Sequence, residues 1–273
     1  MYETYWHLRC KPFGGGCETA LYYPSEAHQA ALLKLRYAVE SRHGAALLTG
    51  HSGVGKTLVT RMLLEGLGDT TGPLVHLTFP QMPAANLLAY LACELHSPEA
   101  TVGREPPLDE SVRTVQRCLS EGARAGRHAL LVVDEAHLLE PRTFEMLRLL
   151  LNVEHEGRPA ATIVFVGQPA ILPLVERLPQ LEQRLAVKCL LRPLALDETH
   201  AYVQHRLQTA GASQTIFESS AVEAVHAAAQ GIARDVNRLC DLALLIGFAE
   251  EAKSISPAII ESVAEELVNV SAD

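Results

Sequence analysis

The eight residues Gly50-His51-Ser52-Gly53-Val54-Gly55-Lys56-Thr57 restrict the possible folds of this chain more than any other stretch. They spell G-x-x-x-x-G-K-T and lie between an apolar run, Ala45 to Thr49, and a helix-compatible stretch, Lys56 to Gly66. In that setting the glycines let successive backbone N–H groups turn toward one centre, and the following helix adds its positive end. Such a cradle suits a chain of phosphates. Lys56 reaches the β and γ phosphates and Thr57 offers its hydroxyl to Mg²⁺, so Gly50 to Leu58 is the candidate binding stretch for a nucleoside triphosphate such as ATP.

The surrounding pattern predicts an α/β architecture. Ala45 to Thr49, Leu74 to Thr78, Ala129 to Val133 and Thr162 to Val166 read as buried strands of a parallel sheet, with a fifth at Leu185 to Leu190. Helices are expected at Lys56 to Gly66, Ala84 to His96, Asp109 to Ala125 and Pro141 to Leu151, the last with proline at its first position, and a loop at Ser97 to Pro107. After Pro193 the strand signals stop. Helices follow at Glu198 to Ala210, Ala221 to Ala229, Asp235 to Ala249 and from Pro257, with Asp197, Ser220 and Ser256 as expected caps. The boundary predicted near 195 separates an α/β domain, 1–195, from a small helical one, 196–273.

The run Ala129 to Val133 delivers two carboxylates, Asp134 and Glu135, to the strand end where ligands of such sheets bind. Asp134 suits the metal's water shell, and Glu135 suits a base that polarises water for attack on the γ-phosphate. Asp134-Glu135-Ala136-His137 also spells a helicase DEAH box. Those enzymes close two sheet domains over the nucleotide, and only one is expected here. His137 is instead expected to pack or to face the next helix.

Composition excludes several classes. At 48% hydrophobic and 20% charged residues, the chain is neither a disordered tail nor a linker. Its apolar runs fall short of the roughly 20 residues that span a bilayer, and no signal peptide is read at its start, so a cytoplasmic location is expected. The six cysteines are too dispersed for a disulfide scaffold and read as reduced thiols; His7, Cys10, Cys17 and His28 match no common zinc spacing. Residues 1–196 carry 19 basic and 20 acidic side chains, and residues 197–273 carry 4 and 12. The acidic C-terminal part is therefore a poor nucleic-acid surface.

Taken together, the motifs resemble the AAA+ ATPases of the general secretion pathway protein A (ExeA-like) group along nearly the whole chain. The resemblance is carried by Met1-Tyr2, Trp6-His7-Leu8-Arg9, Pro12-Phe13, His28 to Leu35, Leu147 to Asn152, Val166-Gly167-Gln168-Pro169, Gln183-Arg184-Leu185, His205-Arg206-Leu207 and Asn237 to Asp241. It implies a P-loop NTPase (AAA+) fold: a parallel five-stranded sheet flanked by helices, with a C-terminal helical lid. It further implies a sensor 1 role for Gln168, which could otherwise cap the turn before Pro169, and a trans-acting arginine finger at Arg184, with Arg177 as second candidate. Arg234 resembles a sensor 2 arginine, although Ala233 stands where the family usually has proline and Asp235 could instead pair with it. Trp6, Phe13, Tyr22 and Tyr23, with His28, are expected as a strap against the first strand, near an adenine pocket.

The function so implied is ATP binding and Mg²⁺-dependent hydrolysis coupled to assembly of a homo-oligomer, ring or filament, or of an unidentified partner protein. Secretion-type relatives continue into a transmembrane and a wall-binding region, and a soluble relative is expected here. A DNA-associated transposition-helper ATPase of the Mu B/TniB type is the alternative; a nucleotide-gated adaptor without turnover is a third, which an intact Glu135 disfavours.

Overall fold

The computed structural model describes residues 1–14, 19–68, 71–96 and 107–270. In chain order the helices and strands begin with α1 (Tyr2–Tyr5), α2 (Glu26–Glu40), β1 (Ala45–Gly50), α3 (Lys56–Glu65), β2 (Thr71–Leu77), α4 (Ala84–His96) and α5 (Leu108–Arg124). Then follow β3 (His128–Val133), α6 (Pro141–Leu150), β4 (Glu154–His155), β5 (Arg158–Pro159), β6 (Ala161–Gly167), α7 (Leu172–Glu176), α8 (Pro179–Glu182) and β7 (Leu185–Leu191). The chain finishes with α9 (Leu196–Thr209), α10 (Ser219–Ala229), α11 (Ala233–Ala249) and α12 (Pro257–Val270). The predicted loop at 97–107 and the thiol of Cys17 lie almost wholly outside the described residues.

Residues group into two compact units. One comprises 30–50 and 59–191; the other comprises 1–29, 51–58 and 192–273.

The first unit holds the five-stranded parallel sheet, in the order β2-β3-β6-β1-β7. The three inner strands are buried along their whole length, which is why each reads as an unbroken apolar run. β7 is an edge and alternates, with Leu190 63% exposed. The core includes Leu47, Leu131, Ile163 and the mutually tilted rings of Phe144 and Phe165, with centroids 5.5 Å apart. Connections from β1 and β6 leave in opposite directions, since the first crosses to β2 and the second to β7. Such a reversal opens a crevice at the carboxyl ends of the strands. Pro141 begins α6 as expected.

The short helices α1, α7 and α8, helix α2 and the β4–β5 hairpin are additions to the expected elements. Helix α2 buries Ala31, Leu35, Ala38 and Val39 at helical spacing, but Leu33 and Tyr37 on its open face blur the contrast between its sides. The β4–β5 hairpin has only two residues per strand, and Glu156 and Gly157, at φ 52° and 73°, form its turn.

A polar chain crosses this sheet. The Nε2 of His128 meets the Thr162 hydroxyl at 2.7 Å, and that hydroxyl donates to the His43 carbonyl, so His128 presents Nε2–H and keeps Nδ1 unprotonated. Burial, with Arg42 adding repulsion, lowers the His128 pKa from 6.5 to about 4. Between those values the unfolded chain takes up the proton and the folded chain does not. Stability therefore falls as pH drops through that window, by no more than about 3 kcal/mol. Urea titrations of wild type and His128→Gln at several pH values between 7 and 4 should show a steeper loss in wild type; equal slopes would assign the loss elsewhere.

The second unit is helical. Trp6 is 2% exposed, and its indole N–H donates to the Leu244 carbonyl at 2.9 Å. The Tyr2 hydroxyl donates to Asp241, Phe13 meets Phe217 edge-on, and Tyr23 packs on Tyr202 and His205. Where the sequence reading lays these rings against the first strand, the structure buries Trp6 and Phe13 among the C-terminal helices, whose apolar faces they cover. Arg206, buried without a carboxylate partner among the described residues, ties the N-terminal segment down by donating to the carbonyls of Pro12 and Leu21.

Two expected caps are corrected. Helix α9 starts at Leu196, before Asp197, because Glu198 accepts the Ala195 N–H at 2.9 Å while paired with Arg192. Helix α10 starts at Ser219 with Glu218 at the cap, which places Ser220 inside the first turn.

Candidate functional site

The phosphate loop follows β1 and turns into α3 at Lys56, as its sequence requires. Gly53 and Gly55 sit at φ 81° and 102°, where side chains are strained, and their surroundings leave no room for one. A Cβ on Gly53 would stand 2.8 Å from Ile232 and 2.9 Å from Arg234, and one on Gly55 would stand 2.5 Å from His28. The Lys56 ammonium donates to the His51 carbonyl at 2.9 Å, which folds the side chain over the loop, and Thr57 is exposed beside it.

Two residues from elsewhere in the same unit hold the loop. His28 is 6% exposed; its Nε2 lies 2.9 Å from the Val54 carbonyl and its Nδ1 contacts the Ser25 hydroxyl. Burial pushes its pKa down, so the ring is neutral, with Nε2–H donating to Val54 and Nδ1 accepting from Ser25. The carbonyl of the Val54–Gly55 peptide is thereby fixed, and with it the plane that aims the Gly55 N–H. Arg234, in the first turn of α11, donates from Nη1 to the Ser52 hydroxyl at 3.2 Å and from its backbone N–H to the Gly53 carbonyl at 3.1 Å. A cation at a helix N-terminus is unfavourable toward that helix, so the contacts with Ser52 and Gly53 are what hold Arg234 here.

The carboxylates belong to the sheet unit. Asp134 is 9% exposed, and its Oδ1 accepts the Glu135 N–H at 2.9 Å. Glu135 adopts a left-handed conformation, φ 48° and ψ 34°, which costs a non-glycine residue about 1–2 kcal/mol. A 3-10 turn at Ala136–Leu138 follows. His137 places Nδ1 3.3 Å from Glu135 Oε2 and 3.3 Å from the backbone N of Gln168, which stands directly after β6. Gln168 precedes a short 3-10 turn and makes no side-chain cap hydrogen bond to it.

Register fixes the levels. Thr49 on β1 lies opposite Gly167 on β6, and Val133 on β3 opposite Phe165, so Gly50, Gln168 and Glu135 leave the sheet at nearly one level on its carboxyl edge. From β3 to β1 is two strand spacings, about 10 Å. Arg184 stands at the other edge, where its carbonyl accepts the Ala45 N–H. Its guanidinium meets Asn152 Oδ1 at 3.0 Å, the Leu151 carbonyl at 3.4 Å and Glu154 at 3.5 Å. Arg177 ends α7, exposed and without an ion pair among the described residues.

The contacts of His28 and His137 carry no signal in the sequence. His28 is expected within the aromatic strap, but its contact with Val54 spans 26 residues and follows no period. His137, expected to pack or to face the next helix, instead meets Glu135 and the Gln168 N–H.

A parallel sheet with this order, a glycine-lined phosphate loop after its inner strand β1 and paired acids two strands away at the end of β3 define a P-loop nucleotide-binding fold. The sequence matches the AAA domain family over residues 39–175, and the chain belongs to that family. It is similar to general secretion pathway protein A of Aeromonas hydrophila, 33% identical over 272 residues, which is 99% of this chain and 49% of that protein. The chain thus spans about half the length of this curated relative. Among solved structures it resembles Cdc6p from Pyrobaculum aerophilum (TM-score 0.71, 19% identity, 93% of this chain and 70% of that one). It also resembles the Aeropyrum pernix ORC2 protein in its ADPNP-ADP complexes (0.66, 16%, 94% and 71%) and the Thermotoga maritima RuvB Holliday junction branch migration motor (0.58, 17%, 89% and 70%). At these identities the structures share the fold. Among the described residues no helix is long and apolar enough to cross a membrane.

Proposed function

We propose that this chain is a Mg²⁺-dependent ATPase whose nucleotide state governs assembly with further copies of itself or with a partner protein, as a secretion-type relative. The observation that carries the reading is the shared level at which the loop-bearing strand, Glu135 and Gln168 leave the sheet. Backbone N–H groups of Gly53 to Thr57 and the Lys56 ammonium receive the phosphates, with Arg234 as a further cation on the same loop. The donors suit Mg²⁺, a hard cation that takes oxygen ligands: an exposed Thr57 hydroxyl, and an Asp134 carboxylate that uses Oδ1 for the Glu135 N–H and keeps Oδ2. When bound, the ion neutralises charge on the β and γ phosphates. Glu135 takes a proton from water as its oxygen bonds to the γ-phosphorus; the bond from that phosphorus to the bridging oxygen breaks, and ADP leaves with the electron pair. Gln168, which leaves β6 at this level, senses the γ-phosphate. The division near 195, with the C-terminal helices as a lid, belongs to this proposal, although residues 1–29 and 51–58 cluster with those helices and not with the sheet.

Arg184 sits at the sheet edge opposite the carboxylates, so its role as a finger is toward the nucleotide of another copy. Asn152 and Glu154 hold it until then. Mass measurement with and without a slowly hydrolysed ATP analogue tests assembly: an unchanged mass at all nucleotide states contradicts the proposal. In mixtures, Arg184→Ala supplies intact loops and Lys56→Ala supplies intact fingers, so ATPase activity should exceed that of either variant alone. Absence of rescue at every ratio would remove Arg184 from this role and turn attention to Arg177.

A further inference from the structure

The turn after β3 leans on the end of β6. A Cβ on Gly167 would stand 3.2 Å from the His137 backbone N and 3.4 Å from its Nδ1, so only a glycine lets the two segments come this close without displacement. The contact brings one imidazole nitrogen within 3.3 Å of two groups with opposite needs. The Gln168 N–H requires a lone pair on Nδ1, whereas the Glu135 carboxylate requires a proton there. Nδ1 cannot meet both at once. Accepting from Gln168 leaves the Glu135 carboxylate facing a lone pair and unheld; donating to Glu135 leaves the Gln168 N–H without its acceptor.

The setting makes this choice consequential. Glu135 is 45% exposed on its side chain and its backbone is left-handed, so little else restrains its carboxylate, while His137 is only 11% exposed and firmly seated. We propose that His137 is a positioning residue for hydrolysis, its Nδ1 serving the Glu135 carboxylate or the Gln168 main chain in turn and so coupling the end of β6 to the base. A shift of the Gln168 segment that withdraws its N–H frees Nδ1 to carry a proton and hold the carboxylate; its return releases the carboxylate. The inference rests on the reading of Glu135 as the base and adds a residue that sets it.

The test uses the full chain, with steady-state and single-turnover ATP hydrolysis and ATP affinity measured side by side. His137→Ala should lower kcat about tenfold and leave the ATP Kd within about twofold, because the residue acts on the base and not on the phosphate cradle. His137→Asn puts an amide where Nδ1 stands and should recover to within about threefold of wild type. His137→Gln fills the same space but carries its amide to the Nε2 position and should remain slow. This pair separates positioning from packing, and both side chains fill the site if the alanine variant fails to fold. In a Glu135→Gln background, His137→Ala should slow single-turnover hydrolysis no further. Full kcat in His137→Ala, equal rates for the Asn and Gln variants, or an added loss in the Glu135→Gln background would each overturn the proposal. Wild-type turnover in Glu135→Gln alone is a different result: it removes Glu135 as the base.

Discussion

Lys56→Ala should lower ATP affinity by at least ~100-fold, about 2.7 kcal/mol. Lys56 is 7% exposed and its ammonium already lies over the loop, donating to the His51 carbonyl, so its charge is in place before any phosphate arrives. Alanine removes that charge and leaves the backbone donors of the loop and Arg234 to face the phosphates. Arginine is no substitute: a planar fork replaces a compact point charge in a loop already closed by His28, Ile232 and Arg234. Wild type should melt at higher temperature as ATP is added, following the linkage of binding to stability, whereas Lys56→Ala should not shift at the same concentrations. An undiminished shift in a variant with unchanged far-ultraviolet circular dichroism would show that the phosphates are held elsewhere.

What sequence made legible here was local. The inner strands β1, β3 and β6 announce themselves because full burial demands an unbroken apolar run, and Pro141 marks a helix start because its missing N–H costs nothing there. The phosphate loop and the acidic pair are read from neighbours in the chain. Residues whose role depends on strand order were harder. His137 gains its meaning only when β6 pairs beside β3 and presents Gln168, and Arg184 acquires Asn152 and Glu154 only when the β4 segment folds back beside the start of β7. His28 is read as part of an aromatic strap against the first strand, yet its Nε2–H fixes a loop carbonyl distant in sequence. Trp6 and Phe13 show the same limit: an aromatic's burial is legible, but which core it enters is not.

Glu135→Gln should leave ATP binding intact and slow hydrolysis at least tenfold, about 1.4 kcal/mol of barrier or more. The amide keeps nearly the shape of the carboxylate, so the left-handed backbone, the N–H donated to Asp134 and the turn on Gly167 are all retained. What it loses is the ability to take a proton from water, and a positioned base contributes about 10²–10⁴ in rate. The strain at φ 48° supports this assignment, since a residue held in a rare conformation at a sheet's ligand edge has an aim that relaxation would spoil. Because binding persists while turnover stalls, the variant should also accumulate in whatever assembly ATP favours, visible as a mass that stays high after wild type has returned to its resting state. Turnover at the wild-type rate, with ATP still bound through Lys56, would place the base on another side chain at this edge of the sheet.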